Sequence, residues 1–175
     1  MSIIANALRV AAFATALLAT SSSMSAEFRG AMVHKTENSQ QVVPDSYSRT
    51  QWVKVEFPIV AYDTAGLWDA GSQQFVIPEG VSFVRLSGQI VWSHSGKGAR
   101  QVLITKNGAL FDGYAAQNGN ATFGTTPDQN VSTAILPVEP GDAFQLQAWQ
   151  MQSEQGDPTS IYGRGGTWFA IEVIE

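Results

Sequence analysis

Cysteine is absent from this 175-residue chain, and histidine occurs only as His34 and His94. Without thiols there are no disulfides, zinc ribbons, thiolate nucleophiles or iron–sulfur clusters. Two histidines so far apart in sequence cannot make a zinc or copper centre without heavy carboxylate help. Charge is scarce too: 14% of residues are charged, against about 25% in an ordinary globular domain. Ten Lys and Arg against 15 Asp and Glu leave a net charge of −5. The basic stripe that displaces counterions from a phosphate backbone is missing, so no nucleic-acid partner is expected. No G-x-S-x-G elbow, G-x-x-x-x-G-K-[ST] phosphate loop or strand-borne G-x-G-x-x-G occurs. The expectation is a non-enzymatic protein with no catalytic residues, no metal and no cofactor.

What is present is apolar, aromatic and turn-rich. Hydrophobic residues make up 44% and aromatics 10%, with 16 Gly, 7 Pro and 14 Gln. Such a chain fills a core and is not disordered, and its neutral polar surface suits contact with protein or glycan. The length allows one domain plus an extension.

Residues 1–26 carry one charge, Arg9, then an apolar run from Val10 to Ala19 and a serine-rich stretch. The run is too short to span a bilayer, which takes roughly 20 apolar residues. One reading is a secretory signal ending at Ser25 or Ala26, although the uncharged start and Met24 fit that pattern poorly. The other is a retained helix, with Ile4, Ala7 or Leu8, Ala11, Ala14 and Leu18 forming an apolar stripe. In that case Ile3, Ile4, Leu8 and Leu18 are the anchor residues. Residues 27–50 read as a polar arm with a turn at Pro44-Asp45-Ser46.

From residue 51 the pattern changes. Strand-like segments are expected at 52–62, 73–77, 81–93, 100–106, 111–123, 131–137, 143–151 and 166–174. Turn signals separate them, among them Pro78-Glu79-Gly80, Asn107-Gly108, Asn118-Gly119 and Pro140-Gly141-Asp142. No sustained 3.6-residue period runs through this half. The expected fold is all-β, an eight- to ten-stranded antiparallel jelly-roll sandwich over 51–175, preceded by a short helical anchor and an extended arm.

Two strands show their faces. Val84, Leu86, Ile90 and Trp92 share one pleat face, and Phe83, Arg85, Ser87, Gln89 and Val91 the other. Phe144, Leu146 and Ala148 oppose Trp149 and Met151. Aromatics on both faces predict that the second face is covered, by self-association or by the arm folding back. Phe83, Trp149, Met151 and Phe169 are the expected interface residues.

Six runs in order carry a family resemblance. Tyr62-Asp63-Thr64-Ala65-Gly66-Leu67-Trp68-Asp69, Phe75 to Gly80 and Val84 to Gly88 are followed by Ile104-Thr105-Lys106-Asn107-Gly108. Pro137-Val138-Glu139-Pro140-Gly141-Asp142 and Thr167-Trp168-Phe169-Ala170-Ile171 close the series. Residues 52–175 thus resemble a tumour-necrosis-factor-like or complement-globular-head jelly roll. With Phe28-Arg29-Gly30-Ala31-Met32-Val33 and Gly98-Ala99-Arg100-Gln101 the chain looks most like the forms found in tailed-phage virion proteins. The resemblance implies a homotrimer on the virion surface: a capsid spike, decoration or head-fibre protein. Its amino terminus would bind a capsid or other virion protein and its head a host-surface glycan or protein. No collagen-like stalk is present. A secreted bacterial binding module of the same fold, exported by residues 1–26, is the alternative.

Candidate contact residues for the ligand are Trp68, Tyr114, Phe123 and Tyr162, read as loop or strand-end aromatics. The stretch 152–165 is the expected recognition loop. Asp63, Asp69, Asp112, Asp128 and Asp157 lack calcium-loop spacing and read as turn and capping residues. A glycan hydrolase using a pair such as Asp112 and Asp157 is the remaining enzyme alternative.

Overall fold

The computed structural model describes residues 27–45, 51–93, 98–110, 117–122, 128–152, 159–163 and 165–175. Among these there is no helix. The strands are β1 (Gly30–His34), β2 (Gln40–Val43), β3 (Val53–Lys54), β4 (Ile59–Asp63), β5 (Trp68–Asp69), β6 (Gln74–Val76) and β7 (Phe83–Trp92). They continue as β8 (Gly98–Lys106), β9 (Gln117–Thr122), β10 (Asp128–Ser132), β11 (Leu136–Pro137), β12 (Ala143–Gln152), β13 (Thr159–Tyr162) and β14 (Trp168–Val173). The expected helix, with Ile3, Ile4, Leu8 and Leu18, lies outside the described residues, as do Tyr114 and Phe123.

The strands form two antiparallel sheets. In the eight-stranded sheet β7 is the hub, with β14 and β13 along one side and β10 and β11 along the other. β1 lies beyond β14, β4 beyond β1, and β2 beyond β13. The six-stranded sheet runs β5-β6-β12-β8-β9, and β3 also pairs with β12. This is a jelly-roll sandwich.

Three expected elements differ. The stretch read as an arm contributes β1 and β2, and β1 sits between β14 and β4. Ala31 and Val33 point into the core, fully buried; the polar residues around so short a strand mask its alternation. The expected strand 52–62 divides into β3 and β4, which belong to opposite sheets. Pro58 stands between them and has no N–H to offer a ladder. The expected strand 131–137 breaks at Thr133, whose hydroxyl accepts from Leu86 N–H at 3.0 Å while its own N–H donates to Leu86 O at 2.9 Å. A side chain there takes one rung of the ladder.

The core fills the space between the sheets. From β7 come Val84, Leu86, Ile90 and Trp92; Phe144, Leu146 and Ala148 face them from β12. Phe75 and Phe169 pack tilted with centroids 4.7 Å apart, and Phe57 stacks on Phe169 at 6.3 Å. Each such side chain contributes roughly 1.5–3 kcal/mol on burial. The exposed ion pairs Arg85–Glu172 and Arg29–Glu175 contribute only about 0–1 kcal/mol each. Packing therefore dominates.

Two of the sequence motifs meet. Asn107 takes a left-handed φ of 54°, with Gly108 at 77° and Gly141 at 89° in the facing turn. Asn107 donates to the Asp142 carboxylate at 3.0 Å and accepts from Ala143 N–H at 2.8 Å. The same carboxylate accepts from Glu139 N–H at 2.8 Å and pairs with Lys106 Nζ at 2.7 Å. The Lys-Asn-Gly and Pro-Gly-Asp turns thus lock each other.

Candidate self-association surface

The outer face of the eight-stranded sheet can be read from its register, since residues directly opposite one another share a face. One row runs Asn130–Gln89–Trp168–His34–Ile59 across β10, β7, β14, β1 and β4. The next runs Ser132–Ser87–Ala170–Met32–Tyr62. A third holds Arg85, Glu172 and Gly30. Tyr62 and Ile59 are each 37% exposed and Phe83 48%, while Trp168, Met32 and His34 are half-buried. Phe28, 51% exposed, sets its ring edge-on to Tyr62 at 5.6 Å. The apolar stripe therefore crosses the sheet from β14 to β4.

A register shift in β4 opposite Met32 and Val33 keeps Tyr62 and Ile59 on this face although three positions separate them. Two of the charges on the face pair with each other, Arg85 donating to Glu172 at 2.6 and 3.2 Å. Burial pushes the Tyr62 phenol above its ordinary value, and Glu172 adds to the effect. The His34 Nδ1 lies 3.0 Å from the Lys35 carbonyl, which fixes Nδ1 as the donor and turns Nε2 away from that bond. Aromatic and methionine side chains with little net charge are the composition of interface centres.

The expected interface residues divide. Phe83 is on this face. Phe169, expected there, is 1% exposed and stacked between Phe57 and Phe75, because its neighbour Trp168 takes the outward position. Trp149, also expected there, is fully buried under Trp52, with centroids 6.1 Å apart. Gln150 donates to Val43 O at 3.1 Å, so the end of β2 lies along β12. The chain itself covers that face. Met151 is half-buried on the same strand. Trp168, Met32, Ile59 and Tyr62 complete the outer stripe, which the sequence does not show because β1 and β4 are distant in the chain from the closing strand.

Two of the ligand-contact aromatics lie among the described residues, and both stand at strand ends, Trp68 opening β5 and Tyr162 closing β13. Trp68 is edge-on to Phe57 at 6.2 Å and Phe75 at 5.2 Å, so it closes one end of the core. Tyr162 is on β13, opposite Gln40 and Val91. Asp63 caps its turn, accepting from Leu67 and Trp68 N–H groups, each at 2.9 Å. Hydrogen bonds from Ser72 and Gly71 N–H hold the Asp69 carboxyl below its usual value. Among the described residues, no three acidic or histidine side chains gather as a metal site.

Elsewhere a buried polar tie crosses the sandwich. Trp92 Nε1 donates to Gln129 at 2.8 Å, Gln129 donates to Arg100 O at 3.0 Å, and the Arg100 guanidinium lies 5.7 Å from the Trp92 ring centre. Burial lowers the basicity of Arg100.

Strand order, register and core define an antiparallel jelly roll. No family model matches the chain, and no curated protein matches it in sequence. Among solved structures it is similar to murine APRIL, crystallised at pH 5.0, at 9% identity and TM-score 0.55, covering 85% of this chain and 100% of that one. It is similar to the Eiger TNF of S. frugiperda at 12% identity and TM-score 0.50, covering 85% and 93%. The globular domain of zebrafish complement 1qA follows at 16% identity and TM-score 0.49, over 85% and 98%.

Proposed function

We propose that the chain is a non-enzymatic binding module that assembles as a homotrimer through the outer face of its eight-stranded sheet. The observation that carries this reading is the stripe of Trp168, Met32, Ile59, Tyr62, Phe28 and Phe83, apolar side chains left partly open on one face of a single chain. Chains of the same fold supply the expectation of three copies. The trimer presents its loops outward to a surface glycan or protein, weakly at each site and with avidity from the three heads. Residues 1–26 hold it to a larger particle. In the finer reading that particle is a phage capsid, and the module is a spike, decoration or head-fibre protein at the virion surface.

The test is the mass of the full chain in solution by light scattering. Three copies of 18.8 kDa support the reading; a monomer at micromolar concentration defeats it. The apolar run 10–19 followed by small residues favours a second reading, export as a secreted module. Intact mass from the native source separates the two: a chain retaining residues 1–26 supports the particle anchor, and one cleaved near Ala26 supports secretion.

A further inference from the structure

One residue beyond His34 and one before Ile59, at the margin of the face just described, lies a pocket of about 280 Å³. That is just below the range of small-molecule sites, about 300–1,000 Å³. Lys35, Gln40, Glu56, Phe57 and Pro58 line it. Lys35 is 3% exposed. Its Nζ donates to the Glu56 carbonyl at 3.0 Å and, at longer range, to Gln41 Oε1 at 3.4 Å. Both acceptors are neutral, and an ammonium carries three protons. Among the described residues no carboxylate lies within 4.0 Å of it, the three ion pairs there being made by other side chains.

A buried cation with one donor left over and no anion in contact favours a ligand that brings both an acceptor and a negative charge. Burial lowers the Lys35 pKa, and the nearby Glu56 charge partly restores it. That same Glu56 charge disfavours a polyanion and leaves room for a single negative group. Around the ammonium the pocket offers hydroxyl-binding groups. Gln40 donates its amide to Ser160 Oγ at 2.8 Å, which leaves its Oε1 as an acceptor, and the exposed Glu56 carboxylate is a second. The exposed Pro58 ring supplies an apolar wall. One carboxylate, several hydroxyls and a C–H face are the groups of an acidic pyranose.

We infer that this pocket binds a uronic or sialic acid unit of a surface glycan, with Lys35 holding the sugar carboxylate and Gln40 and Glu56 accepting from its hydroxyls. The inference rests on the binding-module reading and names its ligand class.

The experiment titrates the full chain with glucuronate, N-acetylneuraminate, glucose and inorganic phosphate, read by NMR shifts, with light scattering on the same samples. At least one acidic sugar is expected to bind saturably and at least tenfold more tightly than glucose, with phosphate weaker still. Lys35→Met abolishes that binding. Gln40→Trp, on an exposed position of β2, fills the pocket and abolishes it too without touching the buried ammonium, so it decides the matter if Lys35→Met does not fold. Equal binding of glucose, equal binding of phosphate, or acidic-sugar binding that survives Gln40→Trp overturns the inference. A trimer that binds neither acidic sugar defeats this inference alone; loss of the trimer in the unaltered chain defeats the module reading.

Discussion

The indole of Trp149 rests against that of Trp52, centroids 6.1 Å apart and planes inclined by 37°. Through this contact Trp52 covers Trp149 on the second face of β12 from within one chain. Trp52→Ala is expected to cost about 1–3 kcal/mol, below the 3–5 kcal/mol of a fully buried aromatic because Trp52 is only half-buried. Urea unfolding measures the loss, and light scattering should show the oligomer unchanged. An oligomer that falls apart would mean that β12 does face another copy.

Phe83 and Phe169 have opposite fates. Phe169→Ala is expected to cost about 3–5 kcal/mol by opening a cavity between Phe57 and Phe75. Phe83→Ala should leave monomer stability within roughly 0.5 kcal/mol and weaken association. Denaturation and sedimentation together check the pair.

Trp168→Glu places a carboxylate in the middle of the outer stripe. Burying that charge between copies costs several kcal/mol, so the variant is expected to run as a folded monomer with unchanged far-ultraviolet dichroism. A trimer of normal affinity would remove this face from the interface.

For Asp142, burial by itself raises the carboxyl pKa, but hydrogen bonds from Lys106, Glu139 N–H and Asn107 outweigh it and hold the value below 3.8. A carboxyl lowered in the folded state stabilises the fold above its unfolded value, and that stabilisation disappears as pH falls through the folded value. The loss therefore begins below about 3.8. Asp142→Ala should cost roughly 2–3 kcal/mol at neutral pH and flatten the acid limb of the stability curve. Stability measured from pH 7 to pH 2 in both chains tests this.

A chain trimmed to residues 51–175 is expected not to fold, because it removes β1 from between β14 and β4. A chain beginning at Glu27 should fold. Amide dispersion in proton–nitrogen spectra distinguishes the two.

Much of the sandwich was legible because its strands are long and alternate cleanly. β7 and β12 show their inward sets, Val84-Leu86-Ile90-Trp92 and Phe144-Leu146-Ala148, as a simple period of two. The two turn motifs could be read as turns, but not as partners, since the Asn107–Asp142 bond joins residues distant in sequence. Trp168 and Phe169 show the sharpest limit. Both are aromatic neighbours on one strand, and only the register decides which points outward. The outer apolar stripe was hidden for the same reason, being assembled from β1, β4 and β14, elements far apart in the chain. Lys35 gave no signal at all, as an isolated lysine beside a histidine in a polar stretch.

The position of β1 also sets how the head bears mechanical load. A pull on the segment before Glu27 enters through Gly30, whose strand is hydrogen-bonded on both sides, to β14 and to β4. Force along β1 then shears two ladders together rather than unzipping an outer strand one rung at a time. A tether attached at that end strains the sheet in its stiffest direction, and the head should hold under tension where a strand at the sheet margin would peel.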